Sequence, residues 1–82
     1  MKIVVRFFAI YRERSGISQQ IIELHSGSSV LDLINALRRQ YPCLAPAEVQ
    51  IVTAVNNEYA SDQLVLKNGD EVALIPPVSG GH

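Results

Sequence analysis

The chain ends in Val78-Ser79-Gly80-Gly81-His82, and this run carries the residues whose types and spacing bear most directly on chemistry. Glycine has no Cβ, so two in succession let a backbone pass through a narrow channel and adopt angles closed to other residues. Val78 to Gly81 is four residues, a reach of roughly 13–14 Å when extended. A lone Gly-Gly is a weak signal, because a frayed terminus has the same composition. The rest of the reactive inventory is thin. Cys43 lies among prolines with no second cysteine and no evident base, so it reads as an incidental thiol rather than a nucleophile. His25 reads as a solvated loop residue. There is no Ser/His/Asp set, no metal-ligand spacing and no phosphate loop, so the isolated domain is expected to hold no metal and to have no catalytic residues of its own.

The elements that must position such a tail belong to one small domain of 82 residues. At 48% hydrophobic and 18% charged, the chain has apolar side chains enough to fold without disulfides. A single cysteine excludes an internal disulfide framework and fits a reducing compartment. No apolar run approaches the roughly 18 residues that span a bilayer, and strand-like residues at the start leave no room for a signal peptide, so a cytoplasmic protein without a membrane partner is expected. Net charge is −1, and the seven basic residues form no stretch interleaved with aromatics, which argues against nucleic acid.

Lys2–Phe8 alternates as a strand, with Ile3, Val5 and Phe7 on one face and Val4, Arg6 and Phe8 on the other. An arginine is not buried alone, so the second face is the solvent face and Phe8 is an exposed aromatic. Ala9–Ser15 reads as a short helix closed by Gly16. Ser18–Leu24 reads as a second strand. Ser29 has N-cap chemistry with Asp32 three residues on, and Val30, Leu33, Ile34, Leu37 and Tyr41 form an apolar stripe at helical period. Arg38 and Arg39 suit the last turn, and Pro42 ends the helix. Val49–Val55 reads as a strand, Asn56-Asn57 as a turn, Glu58–Ala60 as a short return, Asn68-Gly69 as another turn and Glu71–Ile75 as the last strand. In that strand Val72 and Leu74 face inward and Glu71, Ala73 and Ile75 outward. Pro76-Pro77 stops the ladder. One main helix between two strand groups covers one face of one sheet, a two-layer α+β architecture.

Two blocks of residues resemble a known family. Phe7 to Gly16, FFAIYRERSG, is similar to the opening of the molybdopterin synthase small subunits. Asn68 to Gly81, NGDEVALIPPVSGG, is similar to their C-terminus, and Ala54-Val55-Asn56 between them also matches. Thiamine-pathway sulfur carriers are similar in fold and tail but are generally shorter and lack the FFA opening and the Pro-Pro-Val lead-in. The resemblance implies a β-grasp, ubiquitin-like fold over residues 1–77, with the first and last strands parallel neighbours and residues 78–82 as a flexible tail. It implies that an ATP-dependent activating enzyme adenylates the Gly81 carboxylate, that sulfur replaces one oxygen, and that the tail, through Gly80 and Gly81, delivers sulfur for the molybdopterin dithiolene inside a large synthase subunit. Adenylation turns a carboxylate oxygen into part of a good leaving group, and the thiocarboxylate that results is a nucleophilic sulfur on a handle.

Docking to the large subunit is implied at Phe8, Tyr59 and Ile75, an apolar cluster beside the tail. Arg12 matches the family opening and is a candidate contact for an acidic activating enzyme, although a solvated helical face is the safer reading. No bound cofactor is expected, ATP being used by the activating enzyme. One residue departs from the family pattern: while His82 follows Gly81, that glycine has no free carboxylate. His82 is then a remnant of an expression tag, a residue removed by processing, or the mark of a non-carrier binding module. Delivery of sulfur to thiamine or another thiolated product, and conjugation to protein lysines, are the rival uses of the same tail.

Overall fold

The computed structural model describes residues 1–76. Its elements run β1 (Lys2–Phe7), α1 (Ala9–Ser15), β2 (Gln19–Glu23), α2 (Val30–Gln40), β3 (Val52–Val55), β4 (Glu58–Ala60) and β5 (Glu71–Ile75). The alternation in β1 does what the sequence dictates: Ile3, Val5 and Phe7 are buried, while Arg6 is exposed and Val4 lies half-covered. Once those side chains face one way, β1 needs a neighbour on each side. It pairs antiparallel with β2 and parallel with β5, and β5 continues antiparallel to β3 and then β4, giving the order β2-β1-β5-β3-β4.

α2 closes one face of this sheet. Ser29 Oγ accepts the Asp32 N–H at 3.3 Å and the Asp32 carboxylate accepts the Ser29 N–H at 2.9 Å, a reciprocal cap that fixes where the helix begins. Val30, Leu33, Ile34 and Leu37 are buried against the sheet, each worth about 1.5–3 kcal/mol of apolar burial. Tyr41 caps the helix half-buried, and its ring meets Phe7 edge-on with centroids 5.7 Å apart. α1 ends as its sequence requires, because Gly16 adopts a left-handed φ of 83° and returns its N–H to the Arg12 carbonyl at 2.9 Å.

The expected third strand begins later than Val49. Arg38, reaching back from the last turn of α2, donates to the carbonyls of Ala45, Pro46 and Val49. Those carbonyls are satisfied by a guanidinium and not by a neighbouring strand, so residues 45–51 form a pinned loop and pairing starts at Val52. The second strand spans Gln19–Glu23, although Ser18 and Leu24 still exchange backbone hydrogen bonds with Phe7 and Met1. The Asn56-Asn57 turn is a two-residue hairpin with positive φ at both positions, 52° and 72°. This topology, a mixed five-stranded sheet with one helix laid across one face, is the β-grasp, an α+β fold. Among the described residues no helix is long and apolar enough to cross a membrane. The expected domain–tail boundary at residue 77 lies outside the described residues.

Candidate docking surface at the C-terminal exit

The parallel pairing of β1 with β5 puts the ends of both strands at the same edge of the molecule. The register runs Val4–Glu71, Val5–Val72, Arg6–Ala73 and Phe7–Leu74. Phe8 continues the extended backbone of β1, with φ −119° and ψ 153°, so it stands level with Ile75 and its side chain turns to the face away from α2. The chain leaves the sheet one residue later through Ala9, a non-glycine residue at φ 48°. Phe8 is 40% exposed, and Ile75 is half-buried between neighbours on both sides.

Across β5, Val52 pairs with Ile75 and is itself exposed. One row back, Arg6, Ala73, Ala54 and Tyr59 lie side by side on successive strands. The two alanines form a low floor, and Tyr59 stands 78% exposed at its far side. The three expected docking residues therefore share one face, with Phe8 and Ile75 adjacent and Tyr59 joined to them through Ala73, Ala54 and Val52. Val52 was missed in the sequence. Its signal was available, since inward Thr53 and Val55 force Val52 outward by parity, but the pinned loop before it hid where the strand begins.

Arg12 sits one helical turn beyond Phe8, its N–H directed to the Phe8 carbonyl at 3.4 Å. Its side chain is exposed and, among the described residues, makes no ion pair. Cys43 is exposed in the turn between α2 and the pinned loop, beside Arg14, which donates to the Leu44 carbonyl at 3.0 Å. His25 is exposed in the loop after β2, at the end of the sheet opposite Phe8. Among the described residues no group of three or more His, Cys, Asp or Glu is placed to hold a metal. Among the described residues one titratable group is displaced: burial pushes the Tyr11 phenol up from its ordinary value, against a downward pull from Arg14 and Arg38. Tyr11 packs inward from α1 and is a core residue, not part of this face. Gly80, Gly81 and His82 lie outside the described residues.

An apolar patch on the open sheet face, next to the point where β5 hands the chain to its C-terminal segment, has the form of a surface for presenting that segment to another protein. Known proteins bear on this arrangement. The molybdopterin synthase sulfur carrier subunit of Chlamydomonas reinhardtii is 42% identical, covering 99% of this chain and 100% of that one. The subunit of the same name from Homo sapiens is 39% identical, covering 98% and 94%. Among solved structures, a molybdopterin converting factor subunit 1 from Pyrococcus furiosus superposes with a TM-score of 0.84 at 31% identity, over 95% of this chain and 99% of that chain. SAMP1 from Haloferax volcanii superposes at 0.85 and 28%, over 99% and 100%. The Helicobacter pylori complex of subunits 1 and 2 of molybdopterin-converting factor contains a chain that matches at 0.69 and 27%, over 99% and 100%. A family model matches residues 5–81, taking in both the β1–β5 core and the terminal glycines, and on that match this chain belongs to the ThiS family.

Proposed function

We propose that this protein is the sulfur-carrier subunit of a molybdopterin synthase. The observation that carries the reading is the adjacency of Phe8 and Ile75 on the open sheet face, at the strand end from which the glycine-bearing segment departs. Gly81 is five residues beyond Pro76, so its carboxyl carbon can reach roughly 16–18 Å from the folded domain. A large subunit that covers Phe8, Val52, Ile75 and Tyr59 receives the terminus in its interior while the domain stays outside. The near full-length similarity to proteins named as synthase sulfur carriers supports this acceptor over thiamine, and the Helicobacter pylori complex supports a two-subunit assembly.

In the chemistry proposed, an activating enzyme uses ATP to convert the Gly81 carboxylate into an acyl adenylate with loss of pyrophosphate. Sulfide-level sulfur, as hydrosulfide, attacks the acyl carbon, the C–S bond forms as the C–O bond to AMP breaks, the proton is lost to solvent, and a thiocarboxylate remains. Arg12, exposed one turn from Phe8, is suited to meet an acidic surface of that enzyme. A chain ending at Gly81, incubated with ATP, activating enzyme and a sulfur source, should gain mass by one oxygen-to-sulfur exchange, located at Gly81 by tandem mass spectrometry. Sulfur found on Cys43 instead overturns the reading.

A second use of the same tail, amide formation with protein lysines, is favoured by the likeness to SAMP1, one of the small archaeal modifier proteins. The two separate cleanly. A carrier ends the reaction as a thiocarboxylate and returns to a carboxylate when the large subunit, a pterin acceptor for the sulfur and water are supplied, whereas a modifier ends it covalently attached through Gly81 to lysine.

A further inference from the structure

The outward edge of β2 is unlike the other edge of the sheet. Met1 and Leu24 exchange both backbone hydrogen bonds, at 2.8 and 2.9 Å, and Phe7 N–H reaches the Ser18 carbonyl at 2.9 Å. In an antiparallel pair such closely bonded positions recur at every second residue. Residues 18, 20, 22 and 24 thus turn their backbone groups toward β1, and Gln19, Ile21 and Glu23 turn theirs away from the sheet. Among the described residues nothing pairs with those outward groups. The opposite edge, β4, is three residues long, short enough to be a poor template. β2 carries little of the usual edge protection: its five residues, QQIIE, include a single charge, Glu23, and no lysine or proline. Ile21 is 59% exposed on the open face. On the other side, the end of α2 reaches β2 through Gln40 and Tyr41, which bond to Gln20, but an open concavity of about 740 Å³ separates Glu23 and Leu24 from the Asp32–Arg39 face of the helix.

We propose that this edge pairs with the same edge of a second copy of the chain, antiparallel and centred on Ile21, to give one continuous ten-stranded sheet about a two-fold axis. The register follows from the residues. Only pairings among Gln19, Ile21 and Glu23 bring outward backbone groups face to face. Centring on Ile21 uses all of them, with Ile21 opposite Ile21 and Gln19 opposite Glu23. On the open face the glutamine amide then meets the carboxylate of the copy, and Val4, which pairs with Ile21, extends an apolar strip through the seam. Centring on Glu23 sets two carboxylates against each other, centring on Gln19 leaves Ile21 and Glu23 without partners, and centring on Gln20 or Ile22 pairs only two of the three residues, so none of these competes. The seam lies on the far side of β1 from β5, which leaves Phe8, Ile75, Val52 and Tyr59 free. The proposal therefore goes beyond the carrier reading and does not depend on it.

Sedimentation velocity on the full chain, at concentrations up to about 1 mM because so small a seam gives a weak dimer, tests it. A mass rising toward two copies is expected, with the amides of Gln19, Ile21 and Glu23 gaining hydrogen-exchange protection as concentration rises. Ile21→Lys puts two cations across the axis and should weaken association about tenfold or more. Gln19→Glu sets a carboxylate opposite the copy's Glu23 and should also weaken it, and adding Glu23→Gln should restore it. These side chains are exposed, so each variant keeps its fold, checked by an unchanged thermal midpoint of the monomer. A monomer at every concentration overturns the proposal, as does a dimer indifferent to Ile21→Lys and Gln19→Glu.

Discussion

Arg6 and Glu71 meet diagonally across the parallel seam of β1 and β5, with Arg6 Nη1 donating to Glu71 Oε2 at 2.8 Å. The same guanidinium lies 5.8 Å from the centroid of the Phe8 ring. One side chain thus ties a carboxylate at the start of β5 to the aromatic beside the C-terminal exit. The side chains of the pair are 47% and 46% exposed, so solvent and salt screen it strongly. Glu71→Gln should cost less than about 1 kcal/mol of stability at low salt, and the difference should vanish as salt is added. Urea midpoints at two ionic strengths measure it.

The docking face separates binding from folding. Phe8→Asp changes an exposed side chain and should alter stability by only about 0.5 kcal/mol. Binding to a large synthase subunit should weaken by about 2 kcal/mol or more if Phe8 is an anchor. Ile75 is half-buried between Val52 and Phe8, so Ile75→Lys is expected to cost more stability than Phe8→Asp. Val52→Asp should weaken binding as well. Calorimetric titration and thermal unfolding on the same samples check both sides. A fall in melting temperature with unchanged binding would show that this face does not dock.

How much of this surface was legible beforehand depended on periodicity. β1, β5 and α2 carry runs long enough for parity or the 3.6-residue repeat to assign every side chain, and Phe8 and Ile75 followed from that alone. Leu44 and Leu66 are equally buried, yet both lie in loops, where no period exists to point them inward. Tyr11 is buried as well, and a seven-residue helix is too short to show which face it turns to the core. The Arg38 bonds that pin the 45–51 loop are tertiary and leave no mark in local pattern. The β2 edge was hidden for a different reason: which backbone groups point outward is set by register with β1, and register is visible only in the fold.

Tyr11 supplies a pH dependence whose sign can be worked out. Its hydroxyl is buried and, among the described residues, has no hydrogen-bond partner. Desolvation raises the phenol above its ordinary value of 10.0, opposed by Arg14 and Arg38. Above that ordinary value the unfolded chain loses the proton while the folded chain keeps it, so the folded state binds more protons and stability falls as pH rises. The contribution is complete below pH 10.0 and disappears as pH climbs through the raised folded value. Tyr11→Phe removes this term, so the pH dependence of wild type and variant should differ only in strongly alkaline solution. Near neutrality the variant should be neutral or slightly more stable, because it removes an unpaired buried hydroxyl. Denaturant midpoints across that range provide the comparison.

The last prediction concerns His82, the residue after the terminal glycine pair. Adenylation needs a carboxylate oxygen to attack the α-phosphate of ATP, and while the Gly81–His82 bond stands, Gly81 offers only an amide oxygen, a far weaker nucleophile. In a chain that stops at His82 the terminal carboxylate sits one residue too far along and carries an imidazole. A channel shaped for residues without a Cβ excludes that ring, and reaction geometry tolerates displacement of only about an ångström. The full 82-residue chain should therefore be inactive with the activating enzyme, and a chain ending at Gly81 should be active. Pyrophosphate exchange on the two purified forms compares them directly. Equal exchange by both would mean that the enzyme accepts His82 in its channel, and exchange by neither would favour a ubiquitin-like binding module over a sulfur carrier.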